Sequence, residues 1–331
     1  MTDRIIVEEL KYKEKPRRKK DNFIRLLKFY LLPGWRDPEF TSQQKVVEMI
    51  KSKRRLFRRL ITPLTITGLM MILFIAVMAV YAPWLTPYTI DEVTMPYLPP
   101  GGIPFDDPSL AHPLGTTKYA YDLLGRLIWG ARTALTAAAL PVFISIIGGI
   151  ILGTISAYFG GWVDTTMMRF VDFMYSFPTL ILVIIISPML GGELLNLLLI
   201  WGLLYIPVNT RFVRSLVLQV KQNLYVRAAV TGGADKIKVM FKHVFPNAIS
   251  PMIISIFGAM GLSVLGFASI AFLGLGDQTI TDWGTDIMYS RARMTAVGPA
   301  FWPGLFIGIA AIGFILIGDG LRDALDPRLK I

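Results

Sequence analysis

Six stretches of this chain carry no Asp, Glu, Lys or Arg: residues 60–90, 133–163, 173–192, 194–210, 243–276 (with 239–241 just before it) and 294–318. A membrane-crossing helix needs about 20 mostly apolar residues, and in lipid only helices or closed barrels satisfy their own backbone. These runs therefore predict an all-α membrane protein with six transmembrane helices, near 64–84, 134–158, 172–190, 194–213, 248–272 and 300–319. Only GGE (191–193) separates the third from the fourth. Reading them as one helix fails, because Pro188, Gly191 and Gly192 would interrupt it. Charged residues make up 17% of the chain, against roughly 25% in soluble domains.

The net charge of +11 is unevenly spread, with 18 of the 34 Lys and Arg in residues 1–60. That distribution suits a cytoplasmic arm facing membrane lipid and argues against nucleic-acid binding. Within it, KYKEKPRRKK (11–20) reads as a solvated tail, and KSKRRLFRRL (51–60) as an interfacial helix leading into the first span. The expected domains are thus a basic arm with its interfacial helix, 1–60, and a six-span domain, 61–331. No short apolar region with a cleavage site precedes residue 60, so no secretion signal is expected. The absence of cysteine excludes disulfide and thiolate chemistry, and two histidines make a His-based metal site a poor reading.

The positive-inside rule orients the spans. Loop 209–246 carries Arg211, Arg214, Lys221, Arg227, Lys236, Lys238 and Lys242 against Asp235 alone, so it is expected inside. Loops 85–132 and 275–298 carry eight carboxylates against five basic residues and are expected outside. Both termini then lie in the cytoplasm.

The inside loop contains YVRAAVTGGADKIKVMFKHVFPN, residues 225–247. Gly232-Gly233 divides it into two short helices. Ala228 and Ala229 give the first a small surface that another molecule can approach closely. In the second, Ile237, Met240, Phe241 and Val244 recur at helical spacing, predicting one apolar face. Asp235 is placed to cap its start, His243 falls in its last turn, Pro246 is expected to end it, and Asn247 to cap the next span. The bland alternative is an amphipathic connector with no partner.

This stretch resembles the "EAA" loop of ABC-importer permeases, in which E-A-A, three residues and Gly precede a helix ending in H-x-x-P-N. Ala228, Ala229, Gly233, His243, Pro246 and Asn247 match, and Arg227 stands where the family usually has Glu. HPLGT (112–116), GARTAL (130–135), AYFGGWVD (157–164), FVDFMYSFPTL (170–180), FLGLG (272–276), Trp283-Gly284 and GDGLRDALDPRL (318–329) resemble the C-type permease subunit of the dipeptide, oligopeptide and nickel group. Ala120 and Tyr121 replace a usual Gly and Arg. The resemblance covers about residues 60–331 and implies the type I ABC importer permease fold. It further implies a prokaryotic plasma membrane location, a second permease subunit as heterodimer partner, two ABC ATPase subunits, and an external substrate-binding protein. Residues 221–246 would be the coupling loop, with Tyr225, Arg227, Ala228, Ala229, Gly232, Gly233, Ala234, Asp235, His243, Pro246 and Asn247 as its site residues. Short peptides are the implied substrate; the same group imports nickel chelates and oligosaccharides.

No Gly-Lys pair occurs anywhere, so a phosphate-cradling P-loop is absent. The chain is expected to be a transport subunit, not an enzyme, with no cofactor of its own; ATP and Mg would bind the partner ATPases. An ion-coupled secondary transporter is the alternative of another class, but it would place ionisable relays inside its spans, and the expected span centres have none. His112 and His243 fall on opposite sides of the expected topology, so they cannot act as a catalytic pair; His112 reads as a loop-fixing residue. Asp106 and Asp107, before Pro108, read as turn chemistry. Gly148, Gly149 and Gly153 read as close helix packing, and Pro178 and Pro207 as kinks.

Overall fold

The computed structural model describes residues 62–293 and 298–325. The basic arm and the expected interfacial helix at 51–60 lie outside the described residues. Five helices are long and apolar enough to cross a membrane, and a sixth span forms if one bent pair counts as a crossing. In chain order the helices are α1 (Pro63–Leu85), α2 (Leu123–Phe159), α3 (Gly161–Tyr175), α4 (Thr179–Leu190), α5 (Leu194–Lys221), α6 (Leu224–Thr231), α7 (Lys236–Val239), α8 (Phe245–Ile270), α9 (Trp283–Ser290) and α10 (Gly298–Leu325). Among the described residues there is no strand, only an isolated bridge between Thr116 and Asp122.

Thr62 caps α1 by accepting from Thr65 N at 3.1 Å, with Pro63 in the first turn, where its missing N–H is harmless. The second helix begins at Leu123 rather than near 134, for one local and one long-range reason. Asp122 caps it through Gly125 N at 2.6 Å, and Arg126 is carried inside the protein by an ion pair. At 37 residues, α2 is about 55 Å long, well beyond a hydrocarbon core of about 30 Å.

The third span is also corrected. Instead of one helix over 172–190, α3 and α4 meet at 81° around Ser176–Pro178. Pro178 offers no N–H and disfavours a helical Phe177, so the chain turns there. The 12-residue α4 is about 18 Å long, too short to cross unaided. Pro207, by contrast, lies inside the uninterrupted α5.

Helix α2 is central, packing on α5, α8 and α1, while α10 packs between α8 and α1. Small residues permit the close approaches. A Cβ on Gly149 would lie 2.5 Å from Asn209 Cβ, and one on Gly153 would lie 2.6 Å from Thr210 O. The packing reading of these glycines therefore holds between α2 and α5. At this seam Asn209 Nδ2 donates to Ser145 Oγ at 2.9 Å.

Candidate functional site: an exposed helical knob and its buried moorings

The 221–246 loop forms a knob at one end of the bundle. Its first helix, α6, ends in two bonds that define a Schellman turn: Ala234 N donates to Ala229 O and Gly233 N to Val230 O, both at 3.1 Å. The turn places Gly233 at φ +80°, in the left-handed region where a side chain is strained. Gly232, at φ −74°, has no such demand. Asp235 then caps α7 as expected, accepting from Ile237 N at 3.0 Å and Lys238 N at 3.3 Å.

Three expectations about the second helix are corrected. Pro246 does not end it. The backbone widens into a π-helical turn over Met240–Val244, in which Phe245 N bonds Met240 O, and then continues directly into α8. The wide turn accommodates a proline that lacks an N–H and crowds the preceding turn. Asn247 accordingly does not cap a new helix; its Nδ2 donates to His243 O at 2.7 Å across the join. His243 sits within the π-helical turn, not at a helix end.

The extra residue in that turn also shifts the apolar face. Val239, Met240 and Val244 are buried with Val226 of α6, whereas Ile237 and Phe241 are 57% and 60% exposed. Leu224, Tyr225 and Val230 are exposed beside them. Ala228 faces outward, while Ala229 and Ala234 pack toward the core. The knob thus presents apolar side chains, a bare glycine turn, and the exposed Arg227, Asp235, Lys238 and Lys242.

Polar contacts tie the first residue of the knob and the end of α5 to the bundle, and sequence reasoning missed them. Lys221 Nζ donates to Tyr158 O at 2.8 Å and Ala157 O at 3.3 Å, the last carbonyls of α2. Those carbonyls have no partner within the helix, and a cation there suits the helix dipole. Arg214 makes a bidentate pair with Asp164 of α3, two bonds of 2.6 Å, and Ser156 Oγ donates to the same carboxylate at 2.5 Å. Arg211 pairs with Asp172 and lies over the Tyr175 ring at 4.1 Å. The AYFGGWVD stretch contains Asp164, but nothing in the linear sequence links it to Arg214, 50 residues away.

At the opposite end, segment 86–122 folds over the start of α2. His112 fixes this loop as expected, with Nδ1 3.1 Å from Asp122 Oδ1. Asp106 and Asp107 form a turn: Asp107 N donates to Asp106 Oδ1 at 3.0 Å, and Asp106 N to Thr116 Oγ1 at 2.7 Å. Arg126, 1% exposed, donates from Nε to Asp286 Oδ1 of α9 at 2.5 Å and from Nη1 to Val93 O. The rings of Tyr121 and Tyr289 flank its guanidinium. Burial pushes the Asp286 carboxyl up to about 6, against the pull of Arg126, and also raises Asp282. Asp282 caps α9 through Thr285 N at 2.8 Å. Among the described residues, no group of three His, Cys, Asp or Glu could hold a metal ion.

A six-span helical bundle with a helix–glycine–helix knob at one end has the form of a transport permease. Residues 149–331 match the family described as the binding-protein-dependent transport system inner membrane component, and residues 54–100 match the N-terminal transmembrane domain of oligopeptide transport permease C. The chain is 34% identical over 269 residues to the dipeptide transport system permease protein DppC of Alkalihalophilus pseudofirmus, covering 81% of this chain and 86% of that protein. It is 33% identical over 271 residues to the glutathione transport system permease protein GsiD of Pectobacterium atrosepticum, covering 80% and 86%. With GsiD of Escherichia coli O157:H7 the identity is 33% over 282 residues, covering 83% and 89%. This chain belongs to the binding-protein-dependent transport system inner membrane component family, the permeases of ABC importers. It is a multi-pass membrane protein and a transport subunit, not an enzyme.

Proposed function

We infer that this chain forms half of the translocation pathway of an ATP-driven importer of short peptides, and that residues 221–246 are the surface on which an ATPase partner docks. The exposed helix–glycine–helix knob carries this reading. It lies inside the region that matches the permease family, and its apolar side chains Leu224, Tyr225, Val230, Ile237 and Phe241 are exposed among the described residues. The substrate class draws support from the relatives, named for dipeptide and for the tripeptide glutathione.

In this reading a second permease subunit completes the pathway, two ABC ATPases bind beneath it, and an external binding protein delivers the peptide. ATP and Mg bind the ATPases; this chain contributes no cofactor site. The knob faces the cytoplasm, as do both termini, which the basic excess of loop 209–246 favours. Residues 1–60 are a basic cytoplasmic arm whose 51–60 segment anionic lipid of the prokaryotic plasma membrane attracts, and 61–331 the permease domain.

Tyr225, Arg227, Ala228, Gly232, Gly233 and Asp235 form the docking face. Ala229 and Ala234 pack the turn onto the bundle, and His243, Pro246 and Asn247 join it to the span of α8. Closure of the ATPases on ATP then pushes a rigid lever. Gentle detergent purification from native membrane, with mass spectrometry of the bound proteins, tests this. A P-loop ATPase, a second six-span permease and an external binding protein are expected. A lone subunit that transports in vesicles without ATP would contradict the reading.

A further inference from the structure

Helix α8 leaves the knob, helix α2 ends beside it, and both reach α9. Helix α8 continues from the knob and packs on α9 so closely that a Cβ on Gly284 would lie 2.5 Å from Ala268 O. Helix α2, whose end is held beside the knob by Lys221 and by the bond from Ser156 to the Asp164 carboxylate, runs 37 residues without a break. Its far end grips α9 three times. Arg126 bonds Asp286, Trp283 Nε1 donates to Leu127 O at 3.1 Å, and the Trp283 indole covers Gly130, where a Cβ would lie 2.8 Å from Nε1. Helix α9 in turn supplies Ile287 to the wall of an open apolar pocket of about 430 Å³, shared with Leu265 and Phe272 on one side and Gly304 and Ile307 of α10 on the other.

A buried ion pair adds little net stability over well-packed apolar groups; its best-attested use is to hold two elements in one register. Here Arg126 Nη2 and Asp286 Oδ2 are buried without a hydrogen-bond partner among the described residues. That is a poor arrangement for stability alone and a suitable one for a joint.

We propose that α9 is a gate on the outer end of the translocation path, that Arg126 is its positioning residue, and that the Arg126–Asp286 pair makes α9 follow α2 when the knob moves. This rests on the permease reading above. Movement of α9 relative to α10 widens or closes the pocket beside Ile287, so force applied at the cytoplasmic face is read out at the opposite one.

The test uses the complete reconstituted complex in proteoliposomes, with radiolabelled dialanine and glutathione as probes and ATP hydrolysis measured in parallel. The chain has no cysteine, so Ile287→Cys with Gly304→Cys introduces a single bridgeable pair across the pocket. Joining the two thiols with a short bis-methanethiosulfonate, which forms a disulfide to each cysteine and releases methanesulfinate, should cut uptake by about tenfold or more, restored when reductant cleaves the disulfides. Uptake that survives complete bridging overturns the gate. Separately, Arg126→Met with Asp286→Leu replaces the pair with apolar groups of similar size. Substrate carried per ATP should fall by about fivefold or more while the complex still assembles and hydrolyses ATP. A wild-type ratio would make the pair merely structural and overturn its positioning role. Should that variant fail to assemble, Arg126→Lys, which keeps the charge and loses the fork, is judged on the same ratio. A wild-type complex that transports without ATP would instead refute the permease reading itself.

Discussion

Gly233 and Ala228 separate two demands that a docking turn makes of its residues. Gly233 is required by its own backbone, since its φ of +80° strains any side chain although a Cβ would meet nothing within 4 Å. Gly233→Ala should therefore destabilise the turn by about 1 kcal/mol and leave uptake largely intact. Gly233→Pro, which forces φ near −65° and removes the bond to Val230 O, should abolish ATP-dependent uptake while membrane insertion persists. Ala228 lies on the proposed docking face, where a partner would need a small side chain. Ala228→Trp, on the exposed face, should lose co-purifying ATPase with no change in the thermal unfolding of this subunit. Ala229→Trp should also uncouple transport, but through the packing beneath the turn, and should lower the melting temperature as well. Asp164→Ala would remove three hydrogen bonds to a carboxylate and should destabilise the join of α3 to α5 by about 1–3 kcal/mol, read as a lower detergent-solubilised melting temperature.

Elements differed in how readily the sequence disclosed them. Charge-free runs located every span, because a bilayer tolerates few charges and the runs are long. They misplaced the start of α2 by eleven residues, because Arg126 looks like loop chemistry until Asp286, 160 residues later, is brought beside it. The glycine turn and the Asp235 cap were legible because caps depend on neighbours in sequence. The face of the second short helix was not. A spacing of i, i+3, i+4, i+7 assumes 3.6 residues per turn, and the π-helical turn at Met240–Val244 breaks that count. Close packing of α2 on α5 makes its own prediction: Gly149→Leu cannot fit against Asn209 and should destabilise the bundle by about 1–3 kcal/mol, measured by thermal aggregation in detergent.

At the scale of the whole molecule, the account assigns the two ends of the bundle to opposite sides of the membrane. The cysteine-free background lets that be checked directly. A cysteine at Leu110, a fully exposed loop position, should react with an impermeant thiol reagent in intact cells. A cysteine at Ala228 should react only after permeabilisation. Long-range pairing is what the sequence alone did not disclose: Asp164 with Arg214, and Arg126 with Asp286, become partners only once the helices are packed. These pairs turn six spans into a connected body, with the knob moored at one end and α9 held at the other.

The central claim is that the 225–247 knob converts ATP hydrolysis by a partner into movement of substrate through this chain. The most direct test measures labelled dipeptide uptake and ATP hydrolysis together in proteoliposomes holding the complete complex, wild type beside Gly233→Pro. The account predicts ATP-dependent uptake in the wild type. In the variant, hydrolysis should continue with uptake reduced to background. Equal uptake per ATP in the two would contradict it.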